Sequence, residues 1–358
     1  MEETPKLVTD VSDFLVANKS MQSEGMVAGL QEFLGDNYID YISQHNTPCD
    51  IIVFGDEKGK YVVKLERNDN PTTTQKEVSW YQYIKDNGVV PEHFPKYYGG
   101  YQDEGLAFYF LEYLDGYKPV GSLFLDDKMS TEDLIKASTD AITAVEDMFH
   151  SLPRKKDPEV TKKVFGNRLQ SRIAEMYEFP YLAEMLEREE IVINGKPYKN
   201  IPHYMDKLLN HPLLDEISEK EVGIIHGDMH FGNILLGEGD KPFMFLDPNG
   251  ALFLPLEYDY SKILYATHTG YDFLHVGRYK LSGGDGVYEF QLDEREKRKA
   301  VTEGYVDFLG DRAKTVFYTN AIHTLASLPH HAKDMEEETA TYLQSLIILE
   351  EIFKLQGK

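Results

Sequence analysis

The sequence predicts an α+β fold, with an antiparallel sheet carrying one helix in its first half and mainly helices in its second. Two observations carry this prediction. Up to about residue 115, short β-branched and aromatic runs alternate with turn residues. Past Asp115-Gly116 long stretches with helical apolar spacing take over, Thr131 to His150 most clearly. The expected division is a first domain over 1–115 and a second over 116–358, with a cleft between them.

Taken in order, Val8 to Leu34 reads as two short amphipathic helices broken near Lys19 and Ser20. Ile39 to Ser43 reads as a strand, and His45-Asn46-Thr47-Pro48 as a turn. Ile51 to Phe54 and Tyr61 to Leu65 form a hairpin around Gly55 to Gly59. Thr74 to Lys85 has helical spacing and stops at Asn87-Gly88, a C-cap signal. Lys96 to Tyr101 and Leu106 to Tyr113 are two further strands. Ser130 or Thr131 is an N-cap for the helix that reaches His150. Arg154 to Ile224 reads as mostly helical and charged, and from Asp293 onward the pattern is helical with an interruption at Leu328-Pro329.

Composition excludes several function classes. The 358 residues include 37 basic and 61 acidic side chains, a net charge of -24. Such a surface repels nucleic-acid backbones and anionic membranes, so neither is an expected partner. Hydrophobic residues are 42%, which is globular rather than disordered. Cys49 stands alone, so no intrachain disulfide and no cysteine-based metal site is available. The acidic, polar start and the lack of a long apolar run point to a cytoplasmic protein. The oligomeric state is not legible.

The chemistry concentrates in His226-Gly227-Asp228-Met229-His230-Phe231-Gly232-Asn233, followed by two apolar runs, Ile234 to Leu236 and Phe243 to Leu246, and then Asp247. Phosphoryl transfer asks a protein mainly to position groups and neutralise charge. An Asp in a loop, Asp228, can orient an alcohol and take its proton late. Asn233 and Asp247 offer the hard oxygens that Mg²⁺ prefers beside nucleotide phosphates. Gly232 reads as the residue that lets this loop turn tightly. His226 reads as a structural hydrogen-bonding residue. His230 reads either as the same or as a residue facing the acceptor.

A nucleotide also has to be gripped. Lys64, in the alternating strand Tyr61-Val62-Val63-Lys64-Leu65, can reach α- and β-phosphates if an anion keeps it aimed. Glu77 on the following helix is the first candidate for that anion, with Glu66 and Glu112 as alternatives. Glu112, Tyr113 and Leu114, where an apolar strand runs into Asp115-Gly116, offer backbone groups for an adenine edge. The turn His45 to Asp50 has no glycine, so Ser43, Asn46 or Thr47 would have to supply the phosphate contacts that a glycine-rich lid gives. That leaves ATP or GTP open. The aromatic stretch Tyr258 to Tyr279, with Asp272 and His275, and the C-terminal helices are placed to line an acceptor pocket.

These segments (HGDMHFGNILL, FLDPNG, YDYSK at Tyr258 to Lys262, YVVKLE and LEYLDG) resemble the aminoglycoside phosphotransferase and choline kinase superfamily. The resemblance covers about Ile39 to Tyr265. It implies a protein-kinase-like bilobal fold and transfer of the ATP γ-phosphoryl group to a hydroxyl of a small molecule such as a sugar, an amino alcohol or an aminoglycoside. It implies Asp228 as catalytic base, Asn233 and Asp247 as Mg²⁺ ligands, Lys64 as phosphate grip with Glu77 as its partner, and Asp259 as a brace for the catalytic loop. Asn249 stands where a basic residue is more usual in the most similar subgroup. Two other classes compete. A protein kinase would need an activation segment, for which the stretch from Asp247 to Asp259 leaves little room. A binding or scaffold protein of the same fold would not need all five polar positions.

Overall fold

A computed structural model describes residues 4–21, 23–43, 49–89, 92–239, 241–250, 253–293, 296–328 and 334–355. By contact the chain forms two compact units, Met1–Tyr117 with Leu235–Leu252, and Lys118–Ile234 with Phe253–Lys358.

The first unit opens with α1 (Lys6–Ala17) and α2 (Ser23–Leu34). It continues through β1 (Tyr38–Ser43), β2 (Cys49–Asp56), β3 (Gly59–Glu66), α3 (Thr72–Asp86), β4 (Tyr97–Gln102) and β5 (Ala107–Glu112). The strands form one antiparallel sheet in the order β1-β2-β3-β5-β4. The β2–β3 hairpin is tighter than expected, because Asp56 pairs with Gly59 and Asp56 Oδ1 accepts the Lys58 N–H at 2.8 Å. Alternation in β3 decides what each face does. Tyr61, Val63 and Leu65 join Val8, Val11, Leu15, Met26 and Leu30 in a buried cluster that fixes α1 and α2 on the sheet. Each such side chain contributes about 1.5–3 kcal/mol by burial. Lys64 therefore points to the other face, where α3 lies. Trp80 packs there in tilted contact with Phe94, and Tyr81 stacks on Tyr97 with ring centroids 4.9 Å apart. The helix ends as the sequence implies, with Asn87 as C-cap and Gly88 at φ 70°.

In the second unit, helix Thr131–His150 starts where the Ser130 hydroxyl accepts the Asp133 N–H at 3.0 Å. Helix Ala313–Ser327 is buried along nearly its whole length. A three-stranded sheet places Glu221–Ile224 between Lys155–Lys156 and Phe253–Leu254, and the middle strand leads into His226. Helix Glu257–Leu264 is buried at every residue and continues into a π-helical turn, Tyr265–Thr269, that Gly270 ends at φ 75°.

One hairpin departs from the mostly helical reading of Arg154 to Ile224, and a second lies just before Asp293, where the sequence reading has no element. Glu190–Ile193 pairs with Lys196–Lys199, Tyr279–Gly284 pairs with Val287–Leu292, and together they form a four-stranded sheet. The turn residues explain both. Asn194-Gly195 lie at φ 52° and 72°, and Asp285-Gly286 at 52° and 84°, the left-handed pairs that a two-residue hairpin turn demands. His330 and His331 lie outside the described residues. His323 is a core histidine, its ring edge-on to Tyr258 at 4.3 Å and held neutral by burial.

Candidate active site

In the first unit Lys64 sits between two carboxylates. Its Nζ donates to Glu77 Oε1 at 2.9 Å and to Asp247 Oδ1 at 3.1 Å. Lys64 and Glu77 are buried, while Asp247 is about a third open, 36% exposed. Burial opposes the lysine's charge, but Asp247 and Glu77 outweigh it and push the Lys64 pKa up. Burial also pushes Glu77 up, against the pull of Lys64. Glu66 is engaged elsewhere: it accepts the Thr74 N–H at 2.7 Å, satisfying a free amide in the first turn of α3. Glu112 is exposed at the end of β5, its carboxylate 3.4 Å from the Lys96 N–H.

Asp247 has φ 53°, in the left-handed region that few residues other than glycine adopt. Gly250 lies against the backbone of α3, and a Cβ there would stand 1.8 Å from the Lys76 carbonyl oxygen. Only glycine permits that approach. It ties the Asp247 loop to the helix turn that carries Glu77.

The other nucleotide candidates are placed as follows. Glu112 and Tyr113 spend their N–H groups on the carbonyls of Lys96 and Lys60, at 2.9 and 3.1 Å. Leu114, next in the chain, forms no hydrogen bond through its N–H among the described residues. Ser43 closes β1 opposite Asp50. Asn46 and Thr47 lie outside the described residues.

In the second unit the loop after Ile224 is clamped by Asp259. The two oxygens of that carboxylate accept the N–H groups of His226 at 2.9 Å and Gly227 at 2.7 Å. Burial pushes the Asp259 pKa up to about 7, against those two hydrogen bonds. Gly227, at φ 82°, supplies the sharp turn. Gly232 has another reason to be glycine than the turn expected of it. A Cβ there would stand 2.7 Å from Cε1 of His230, so it makes room for that ring.

Both histidines serve the loop. Nδ1 of His226 accepts the Asp228 N–H at 3.2 Å, and Nδ1 of His230 accepts the Gly232 N–H at 3.0 Å. Nε2 of His230 lies 3.7 Å from Asp228 Oδ2. Asn233 donates Nδ2 to the Asp228 carbonyl at 2.8 Å and to its Oδ2 at 3.3 Å. The amide oxygen of Asn233 is thereby directed away from Asp228, available to a cation.

The sequence reading missed Lys262 as a site residue. Its Nζ lies 2.9 Å from Asp228 Oδ1, and its side chain is 9% exposed. Burial would raise the Asp228 pKa, but Lys262 and, after it, His230 hold that carboxyl well below the usual range. Beside the loop stands an aromatic and acidic wall. Tyr271 lies edge-on to His230 at 5.6 Å and stacks on Tyr265 and His275, and His275 Nδ1 pairs with Glu337 at 3.0 Å. Burial raises the carboxyl of Asp272. Among the described residues no group of three or more His, Cys, Asp or Glu side chains forms a metal site by itself. None of the described helices is long and apolar enough to cross a membrane.

The profile of the Phosphotransferase enzyme family matches residues 51–289, two thirds of the sequence. This chain belongs to that family. It is an enzyme of the phosphotransferase class, as the catalytic-loop motif led one to expect. Three solved structures of family-like proteins are similar to it, each at 12% identity. A spectinomycin phosphotransferase, solved with ADP and spectinomycin, aligns over 93% of this chain and 98% of its own, with a TM-score of 0.46. A putative fructosamine-3-kinase from Haemophilus somnus aligns over 92% and 98%, with a TM-score of 0.49. A Plasmodium vivax ethanolamine kinase aligns over 97% and 95%, with a TM-score of 0.45. No curated protein matches the chain.

Proposed function

We propose that this phosphotransferase moves the γ-phosphoryl group of ATP to a hydroxyl of a small molecule, with Asp228 as the base. The arrangement around Asp228 carries the reading. A carboxylate that is held rigidly but left a third open, 33% exposed, is suited to receive a hydroxyl group. Asp259 fixes the backbone on one side of it and Asn233 fixes the side chain. With its pKa depressed, Asp228 orients the alcohol in the ground state and takes the proton only as the new O–P bond forms.

Lys64, aimed by Glu77, grips the α- and β-phosphates. Glu112, Tyr113 and Leu114 contact the adenine, with the Leu114 N–H as its donor. Ser43 and Asn46 add phosphate contacts. The donor set suits Mg²⁺, because the Asn233 amide spends its nitrogen on Asp228 and keeps its oxygen as an acceptor, and Asp247 has a partly exposed carboxylate, both hard oxygen ligands. Asn233 and Asp247 would hold the ion, which supplies charge neutralisation on the β- and γ-phosphates. The base and the wall of Tyr271, Asp272, His275 and Glu337 face the acceptor. The protein works in the cytoplasm, without nucleic-acid or membrane partners; residues 1–115 bind the nucleotide, and residues 116–358 supply the base, the metal ligands and the acceptor site.

The test is incubation with Mg·ATP and pooled sugars, amino alcohols and aminoglycosides, read by mass spectrometry for a mass gain of one phosphate. A phosphorylated product from one pool supports the reading and names the acceptor class. ATP binding with no product from pools that span these classes would count against it.

A further inference from the structure

We propose that Lys262 is a catalytic residue of the transfer, its ammonium bearing on the phosphoryl oxygens as the acceptor oxygen bonds to phosphorus. This rests on the reading of Asp228 as the base. Asp228 already has the groups it needs to be held in place: Asn233 on Oδ2, and an Asp259-clamped backbone before it. A further ammonium at 2.9 Å from Oδ1 is more than that positioning needs, and it makes the base weaker. It is also costly to install, because helix Glu257–Leu264 buries every residue it has, Lys262 included.

The charge becomes useful when the reaction is considered. The alcohol oxygen that hydrogen-bonds to Asp228 is the atom that bonds to phosphorus. It therefore sits within one hydrogen bond of a carboxylate that is itself one hydrogen bond from Lys262 Nζ. As the O–P bond forms and the bond from phosphorus to the β-phosphate oxygen breaks, the electron pair leaves with ADP. The hydroxyl proton passes to Asp228. The transition-state charge is spread over the equatorial phosphoryl oxygens, and an ammonium that turns to them only as Asp228 takes the proton stabilises that state more than the ground state. Lys262 is also well suited to let go of Asp228. Once Asp228 takes the proton its attraction for the ammonium falls, and Nζ has two further protons to donate. The Tyr265 ring, with its centroid 5.3 Å from Nζ, also faces the cation.

Four variants in the full-length enzyme test this: Lys262→Met, Lys262→Gln, Lys262→Ala and Asp228→Asn, with the acceptor found from the pools. Gln keeps a donor for Asp228 but no charge. We expect Met and Gln alike to lose about 10²–10³-fold in kcat, the scale of one lost oxyanion donor. KM for ATP and acceptor should stay within about threefold, because ground-state binding is untouched. Ethylammonium should restore part of kcat in Lys262→Ala and none in Asp228→Asn. A Gln variant that keeps kcat within about threefold of wild type would overturn the proposal in favour of simple positioning. Absent transfer by the wild type itself would overturn the reading of the site, and this assignment with it.

Discussion

Gly250→Ala should lower activity far more than the addition of one methyl group suggests. Its Cβ would meet the Lys76 carbonyl oxygen at 1.8 Å, its carbon at 2.0 Å and the Glu77 nitrogen at 2.7 Å. Backbone in a helix cannot swing aside as a side chain does. To restore a 3.0–3.4 Å contact, either the loop or α3 must retreat by roughly 1.2–1.6 Å. The loop carries Asp247 three residues earlier, and α3 carries Glu77 one residue later. Either movement breaks the arrangement in which Lys64 lies 2.9 Å from Glu77 and 3.1 Å from Asp247. Overpacking of this kind costs about 1–3 kcal/mol in stability. A misplacement of about 1 Å at a reacting group costs on the order of 10²-fold in rate. The assay is kcat/KM for Mg·ATP-dependent transfer, with thermal unfolding alongside. Gly105→Ala is the control, because a Cβ there meets nothing within 4 Å. If Gly250→Ala keeps both its melting temperature and its kcat/KM near those of the control, the loop is not held by this approach and the reasoning fails.

The remaining predictions concern the clamp, the grip and the loop. Asp259→Asn leaves one oxygen to accept two N–H groups, so it should lose about 1–3 kcal/mol in urea unfolding. The same variant should change the pH dependence of stability. The folded pKa of Asp259, about 7, lies above its ordinary 3.8, so its contribution is fully present below about pH 4 and lost as pH rises through 7. Melting curves from pH 4 to 8 should show that decline in wild type, and a flatter profile in Asp259→Asn. Glu77→Ala removes one partner of a buried pair and should destabilise by about 3–5 kcal/mol. Its KM for ATP should rise in steady-state assays. Gly232→Ala should displace the His230 ring and its bond to the Gly232 N–H, a loss of about 0.5–1.5 kcal/mol. Denaturant titration would detect it, and unchanged stability would mean the ring has room to move.

What was legible in the sequence had short-range grammar. The strand that holds Lys64 is read from alternation in Tyr61 to Leu65, and α3 from its spacing and the Asn87-Gly88 stop, so the meeting of Lys64 and Glu77 followed from ordinary geometry. The loop from His226 to Asn233 was legible because its polar residues serve one another over a few positions. Two kinds of feature stayed hidden. The hairpins at Asn194-Gly195 and Asp285-Gly286 sit in charged surroundings where alternation is short, and the turn dipeptides themselves were the signal to weigh. Lys262 was hidden for a deeper reason. It stands three residues after Asp259, and nothing in that local spacing shows that the helix is fully buried or that the partner of Lys262 is Asp228. Gly250 is similar: its need for glycine comes from α3, far away in sequence.

The most direct test of the central claim is single-turnover transfer from Mg·ATP to the identified acceptor in wild type and Asp228→Asn. Both should bind ATP equally, since Lys64 and Asp247 are untouched. Only the wild type should then form phosphorylated product at an appreciable rate. An Asp228→Asn enzyme that transfers phosphate as fast as wild type would contradict it.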